Sequence, residues 1–422
     1  MKELIRKSIN HPLISGSSII FIGSFFVSIG NYVYNLLMGR FLSVQDYGLL
    51  TSLTSLFVLL GLFSNAFSNI FVKFAAANKG AGNERGTQML FAYGIRILSV
   101  FAVILLVVLL IFIPVLRSFL HIERIELILY IIIAVIFSLF LTLPLGILQG
   151  RMQFISLSVA NLSQPVIKIV VALLLLSAGF AVVSPLIAIV VSVAIPMVVL
   201  YSYLYGYYRK KKHEGSFDKK VFKKEFTHYS YTYFLAGAGI ALMSNTDILL
   251  VRHFFNEVVS GQYAALSLMG KAIFYLIMPI NFAFFPLIAY KRERKERLFG
   301  TVLLAFGIVT LASLVLSFIY FAFPSLILAI FFPAPEYQDL KQYLGLFSLY
   351  IMMFSLATLL SSFFLSIGKT GIYKISLVTA LLQIMMIYFF HNSLYQVIGS
   401  MFFSSLLFFV ILLVYYVKHG KD

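Results

Sequence analysis

The sequence contains no cysteine. That excludes a disulfide framework, a thiolate metal site and a cysteine nucleophile. Charge is scarce as well: Asp, Glu, Lys and Arg make up 11% of 422 residues, and only 15 are acidic. Long polar stretches are nearly missing, the longest being RKKKHEGSFDKKVFKKEF from Arg209 to Phe226. No cleavable signal is expected, because basic Met1–Asn10 leads into a long apolar run without a small-residue cleavage site. What remains is apolar: 61% of the residues are hydrophobic, in runs near twenty residues that recur from end to end. A transmembrane β-barrel would instead show short alternating segments. The expectation is an all-α integral membrane protein.

Twelve spans are predicted, at about 14–39, 47–71, 89–114, 126–149, 155–179, 183–207, 229–253, 261–289, 299–323, 342–366, 372–390 and 394–417. With a cytoplasmic N-terminus, the inside segments carry 24 Lys and Arg and the outside segments five: Arg40, Arg117, Arg124, Arg252 and Lys341. The remaining three, Arg96, Lys168 and Lys271, fall within spans, which accounts for all 32. That asymmetry predicts an even number of spans, cytoplasmic termini and a plasma (inner) membrane location. The net charge of +17 then reads as topology and affinity for anionic inner-leaflet lipid, not as nucleic-acid binding.

The polar stretch divides the chain into a six-helix lobe at 1–207, a basic cytoplasmic linker at 208–228 and a second six-helix lobe at 229–422. The lobes repeat in the same direction. Leu148-Gln149-Gly150-Arg151 matches Ser366-Ile367-Gly368-Lys369, and Ser158 matches Ser376, at an offset of 218. Arg40-Phe41…Tyr47-Gly48 matches His253-Phe254…Tyr263-Ala264. Parallel repeats related by an axis along the membrane normal typify transporters built from two rocking bundles.

Helical spacing places polar residues on single faces. The first span carries Ser17, Ser24, Ser28, Asn31 and Asn35; the second carries Thr51, Ser55, Asn65 and Asn69; the fifth carries Ser158, Asn161, Gln164 and Lys168. In the second half they are Tyr233, Gly237, Ser244 and Asp247, then Ser267, Lys271 and Tyr275, then Ser376, Thr379 and Gln383. By contrast the third span beyond Ser99 and the twelfth are nearly all aliphatic or Phe, as lipid-facing helices should be. Ser and Thr alone would serve as packing glue between helices, but that does not explain Lys168 and Lys271, whose ammonium groups need water, an anion or a partner. Lys168 lies roughly 13 residues, ~20 Å, into its span, too deep for easy snorkelling. Arg96 is nearer the cytoplasmic end and can snorkel. Asp247 and Lys271 reach similar depth on consecutive antiparallel helices, which allows an ion pair, static or broken during transport. A cavity with more cations than anions suits an anionic cargo, phosphate or pyrophosphate above all, because Lys acts as a point-charge phosphate binder. Tyr233 and Tyr275 are placed to stack on sugar rings. Pro165, Pro279 and Pro286 should kink their helices.

Three stretches carry a family resemblance: GRFLSVQDYGLL (Gly39–Leu50), LQGR (Leu148–Arg151) and NTDILLVRHFFNEVVSGQYAALSLMGKAI (Asn245–Ile273), followed by Phe284–Pro286. In that order, over nearly the whole chain, the sequence resembles the Wzx-type oligosaccharide flippases of the multidrug/oligosaccharidyl-lipid/polysaccharide (MOP) exporter superfamily. The resemblance implies a MATE-like pair of lobes around a cavity. It also implies alternating access that moves a polyprenyl-pyrophosphate-linked saccharide outward, coupled to H+ or Na+, with no cofactor, no metal and no catalysis. Lys271 and Asp247 would sit in the cavity of the second lobe, with Arg40 near the outer end of the first helix. Asp247, Arg40 and Arg252 are the gating or coupling candidates, and polysaccharide assembly enzymes are partners the resemblance allows.

Two rivals want features that are missing. A drug/cation antiporter calls for buried carboxylates in the first lobe, where Asp46, Glu84, Glu123 and Glu126 all fall at span ends or in loops. A membrane polymerase or glycosyltransferase calls for acid/base or metal-binding residues on a sizeable outer loop. Here the acidic residues of the outer loops, Glu123, Glu126, Glu336 and Asp339, are scattered.

Overall fold

The structure is a computed structural model that describes residues 12–209, 219–293, 298–367 and 369–419. Every regular element among the described residues is helical. The first half contains α1 (Pro12–Phe41), α2 (Val44–Leu60), α3 (Leu62–Gly80), α4 (Glu84–Leu120), α5 (Ile125–Gly150), α6 (Phe154–Ser177) and α7 (Val183–Arg209). The second contains α8 (Lys219–Phe254), α9 (Glu257–Glu293), α10 (Phe299–Ala322), the short α11 (Pro324–Phe331), a 3-10 turn (Pro335–Leu340), α12 (Lys341–Ser366), α13 (Tyr373–Phe389) and α14 (Leu394–His419). Ten segments among the described residues are long and apolar enough to cross a membrane, and α9 and α13 occupy the other two expected positions. The chain is a multi-pass membrane protein. The second span is interrupted at Gly61, whose backbone stays right-handed helical (φ −64°, ψ −11°).

Two compact units are formed, one from Met1–Tyr34 and Leu60–Phe234, the other from Asn35–Leu59 and Leu235–Asp422. Unit 1 is organised around α5, which packs on α3, α4 and α7, while α6 packs on α7. In unit 2, α12 packs on α9, α10 and α14, while α13 packs on α14. The order is the same in both: the fourth span of each half touches the second, third and sixth, and the fifth touches the sixth. This is the parallel repeat, seen as packing. It is sharpened by one shared contact. A methyl on Gly23 of α1 would lie 2.7 Å from the Ser158 hydroxyl of α6, and one on Gly239 of α8 would collide with Ser376 of α13. The two serines that match in sequence therefore press on the glycine of their own half's first helix.

Small residues let backbones approach where no water-driven force holds helices together. On α5, a Cβ at Gly150 would lie 2.6 Å from the Val72 carbonyl oxygen of α3. The start of α8, which the sequence reading assigned to the linker, is helical because Phe222 and Phe226, four residues apart, share one face. Both are buried against Phe67, Phe71 and Tyr208 of unit 1. As expected, α4 beyond Ser99 exposes Val100, Val103, Ile104, Val107 and Ile111. The twelfth span differs from its expectation. Met401, Ser404, Ser405, Phe408 and Leu412 form a buried stripe on α14, while Val410, Leu413, Val414 and Val417 are exposed. Ser400, Ser404 and Ser405 mark the packed side, but beyond Ser405 the helix is aliphatic and aromatic all round, and its sequence does not tell a packed face from a lipid face.

Candidate functional site

Unit 1 builds a cradle for one cation. On α6, Pro165 and Lys168 stand three residues apart and so share a face. Pro165 packs on Gly30 of α1, where an added methyl would lie 2.8 Å from the proline ring. That close approach brings Lys168 to the next residue of α1: its Nζ donates to Asn31 Oδ1 at 2.5 Å. The Asn31 amide is oriented by its own Nδ2, which donates to the Val27 carbonyl at 3.0 Å. Three residues further along α1, the Tyr34 ring lies with its centroid 4.4 Å from Lys168 Nζ. Tyr34 is buried, and its hydroxyl donates to the Pro185 carbonyl at the start of α7, 3.0 Å away. Lys168 has no carboxylate within 4.0 Å among the described residues.

Unit 2 builds the reverse. Asp247 on α8 is only 1% exposed. Its Oδ2 accepts from the Tyr263 hydroxyl of α9 at 2.8 Å, and its Oδ1 has no hydrogen-bond partner. Tyr263, Ser267 and Lys271 follow one another at four-residue spacing on α9 and so share a face. Lys271 forms no salt bridge to Asp247 within 4.0 Å. The phenol, not the lysine, is the carboxylate's partner. One turn before Asp247, the Met243 carbonyl accepts from Gln383 Nε2 at 2.8 Å, and Gln383 Oε1 accepts from Ser404 at 3.1 Å. Gln383 thereby fastens α13 to α8 and α14 and is wholly buried.

The other expected residues are dispersed. Asn35, Asn161 and Gln164 are partly buried, while Asn65 and Arg96 are exposed. The Tyr233 and Tyr275 side chains lie outside those described, as do Pro279 and Pro286. Arg40 donates through Nε to the Phe331 carbonyl at 3.1 Å and through Nη2 to that of Ile330, so a cation meets the final carbonyls of α11. Arg252, buried in the last turn of α8, bonds Glu257 in the first turn of α9 at 2.8 Å.

Sequence reasoning did not count Tyr34 and Tyr263 among the site residues, yet they hold Lys168 and Asp247. A signal was present. The match of Tyr47 with Tyr263 sets an offset of 216, and the same offset relates Gly23 to Gly239 and Asn31 to Asp247. Arg151 of the LQGR stretch, treated only as a landmark, also proves engaged. It bonds Glu84 at 2.5 Å and the Tyr207 hydroxyl at 3.3 Å, with its guanidinium 5.2 Å from the Tyr207 ring centroid. Burial opposes its charge more than any one neighbour favours it, but Glu84, Tyr208 and Tyr207 together hold its pKa above the ordinary arginine value. The arrangement stitches the ends of α4, α5 and α7.

Comparison with known proteins agrees with this architecture. No curated protein matches the sequence. Among solved structures, the lipid II flippase MurJ in an inward closed conformation is similar with a TM-score of 0.73 and 15% identity, over 94% of this chain and 87% of that one. An inward-facing multidrug resistance MATE family transporter of the MOP superfamily aligns with a TM-score of 0.72 and 15% identity, over 94% and 93%. The MATE multidrug transporter DinF-BH, in complex with R6G, gives 0.71 and 17% identity, over 98% and 96%. Identities this low speak for the fold: two lobes of the MOP transporter kind. The sequence pattern described as "Polysaccharide biosynthesis protein" matches residues 13–291. With that pattern running through the larger part of its length, on a MOP fold, the chain belongs to the polysaccharide biosynthesis protein family.

Proposed function

We propose that the protein is a flippase that carries a polyprenyl-pyrophosphate-linked saccharide from the inner to the outer leaflet of the plasma membrane by alternating access, with both termini cytoplasmic. The observation that carries this reading is Lys168, an ammonium in the middle of a span whose protein partners are an amide oxygen and an aromatic face. A cation held in low dielectric without an acid is stabilised by an arriving anion far more than it would be in water. Phosphate supplies that anion, and its affinity for the site differs between conformations, as any ligand-driven shift requires. Lys271 is the second phosphate contact and Arg96 an accessory one. Asp247, with an unpaired carboxylate oxygen, is the proton or sodium coupling group. Anionic inner-leaflet lipid and polysaccharide assembly enzymes are its partners.

The drug/cation antiporter fits less well, since each acid of the first half that the sequence places near a membrane end stays there: Glu84 and Glu126 lie in first turns of helices. Reconstitution into proteoliposomes separates the two. The flippase translocates a fluorescent polyprenyl-pyrophosphate saccharide and does not exchange organic cations for protons. Exchange of an organic cation without lipid translocation would overturn the proposal.

A further inference from the structure

We propose that Tyr34 is the positioning residue of the anion site, aiming the Lys168 ammonium at the cargo's phosphate without neutralising it; the inference rests on the reading that Lys168 meets phosphate. An ammonium has three N–H donors. One goes to Asn31 Oδ1, and the Tyr34 ring, 4.4 Å away, covers another side. With no acid in contact among the described residues, one donor is left for a phosphate oxygen. The ring attracts the cation through its quadrupole, yet brings no negative charge to compete with the cargo. A carboxylate in its place would bind the ammonium tightly and repel the ligand. Tyr34 is also immobilised as a positioning group must be: it is 1% exposed, and its hydroxyl is tied to the Pro185 carbonyl. Three helices thus converge on one ammonium, α1 through Asn31 and Tyr34, α6 through Lys168 and α7 through Pro185. The design favours anionic lipids over their neutral counterparts.

The chain contains no tryptophan, so Tyr34→Trp places a single fluorescent reporter at the cation while keeping an aromatic face. In the purified full-length protein, farnesyl pyrophosphate is expected to change its emission saturably, farnesol is not, and adding Lys168→Gln abolishes the response. In translocation assays Tyr34→Phe, which keeps the ring but loses the tie to Pro185, raises the half-saturating cargo concentration by about twofold to fourfold. Tyr34→Leu raises the half-saturating cargo concentration roughly tenfold with a maximal rate within about twofold. A purely structural role would lower the maximal rate or the thermal stability instead. An equal response to farnesol, or one that survives Lys168→Gln, overturns the proposal. So does a Tyr34→Leu variant with wild-type half-saturation, an outcome that leaves the flippase intact. A Lys168-dependent response in a protein that moves no lipid-linked saccharide supports the anion site and removes the flippase reading.

Discussion

Asn31 and Asp247 occupy the same place in their halves, 216 residues apart and eight residues beyond the glycine that each first helix presents to a serine of the fifth span. Their company differs completely. Asn31 holds a lysine that has no acid within 4.0 Å among the described residues; Asp247 holds a phenol, with its lysine beyond salt-bridge reach. The repeat therefore preserves backbone contacts and reverses the electrostatics, leaving a buried lysine in unit 1 and a buried carboxylate in unit 2. Close packing at a glycine tolerates little change, whereas eight residues further on the side chains meet different neighbours in each half and carry different charge. On the proposed reading, one scaffold used twice supplies two functions, a grip for an anionic cargo and a group for a coupling cation.

Making the halves alike is the most direct way to break that comparison. Asn31→Asp gives unit 1 the acid of unit 2, at a distance where Lys168 is captured as an ion pair. Translocation should fall by tenfold or more, because charge-assisted hydrogen bonds are worth about 1.5–3 kcal/mol, with no loss of thermal stability in detergent. Unchanged translocation would mean that the free cation is not the working group.

The reverse change, Tyr263→Phe, removes the hydrogen bond that a phenol donates to Asp247 Oδ2. Stranding a buried acceptor costs about 1–3 kcal/mol, so the unfolding midpoint should drop by several degrees. Ser267→Ala, on the same face of α9, should leave it nearly unchanged.

The shared glycine contact gives a finer comparison. At Gly239 an added methyl meets the Ser376 backbone carbon at 2.5 Å, whereas at Gly23 its nearest neighbours are the Ser158 side-chain atoms, which can rotate. Gly239→Ala is expected to destabilise by about 1–3 kcal/mol and Gly23→Ala by clearly less, measured by thermal unfolding. Equal effects would show that α6 cannot yield either. Smallest of all, Arg40→Ala removes an exposed cap from α11 and should move the midpoint by about 2 °C or less.

Much of this was legible in the sequence. Hydropathy and basic-residue asymmetry pointed to the spans, because a bilayer demands about twenty apolar residues per helix. The offset linking Ser158 to Ser376 located a real structural equivalence. Lys168, Lys271 and Asp247 stood out because burying a charge in a membrane is expensive and persists only for a reason. Their partners were not legible. Tyr34 and Tyr263 are two among 25 tyrosines, and nothing local marks a ring that faces an ammonium. Nor could sequence assign Asn35–Leu59 to the second unit. That follows from contacts such as Gly48 against Gly261, where a methyl would lie 2.7 Å from a backbone nitrogen, and such contacts depend on tertiary packing.

The most direct test of the central claim is translocation of a polyprenyl-pyrophosphate saccharide in proteoliposomes by wild type and by Lys168→Gln, each verified as folded. The account predicts robust transport by the wild type and a loss of about tenfold to a hundredfold in the variant. Equal transport by both would contradict it.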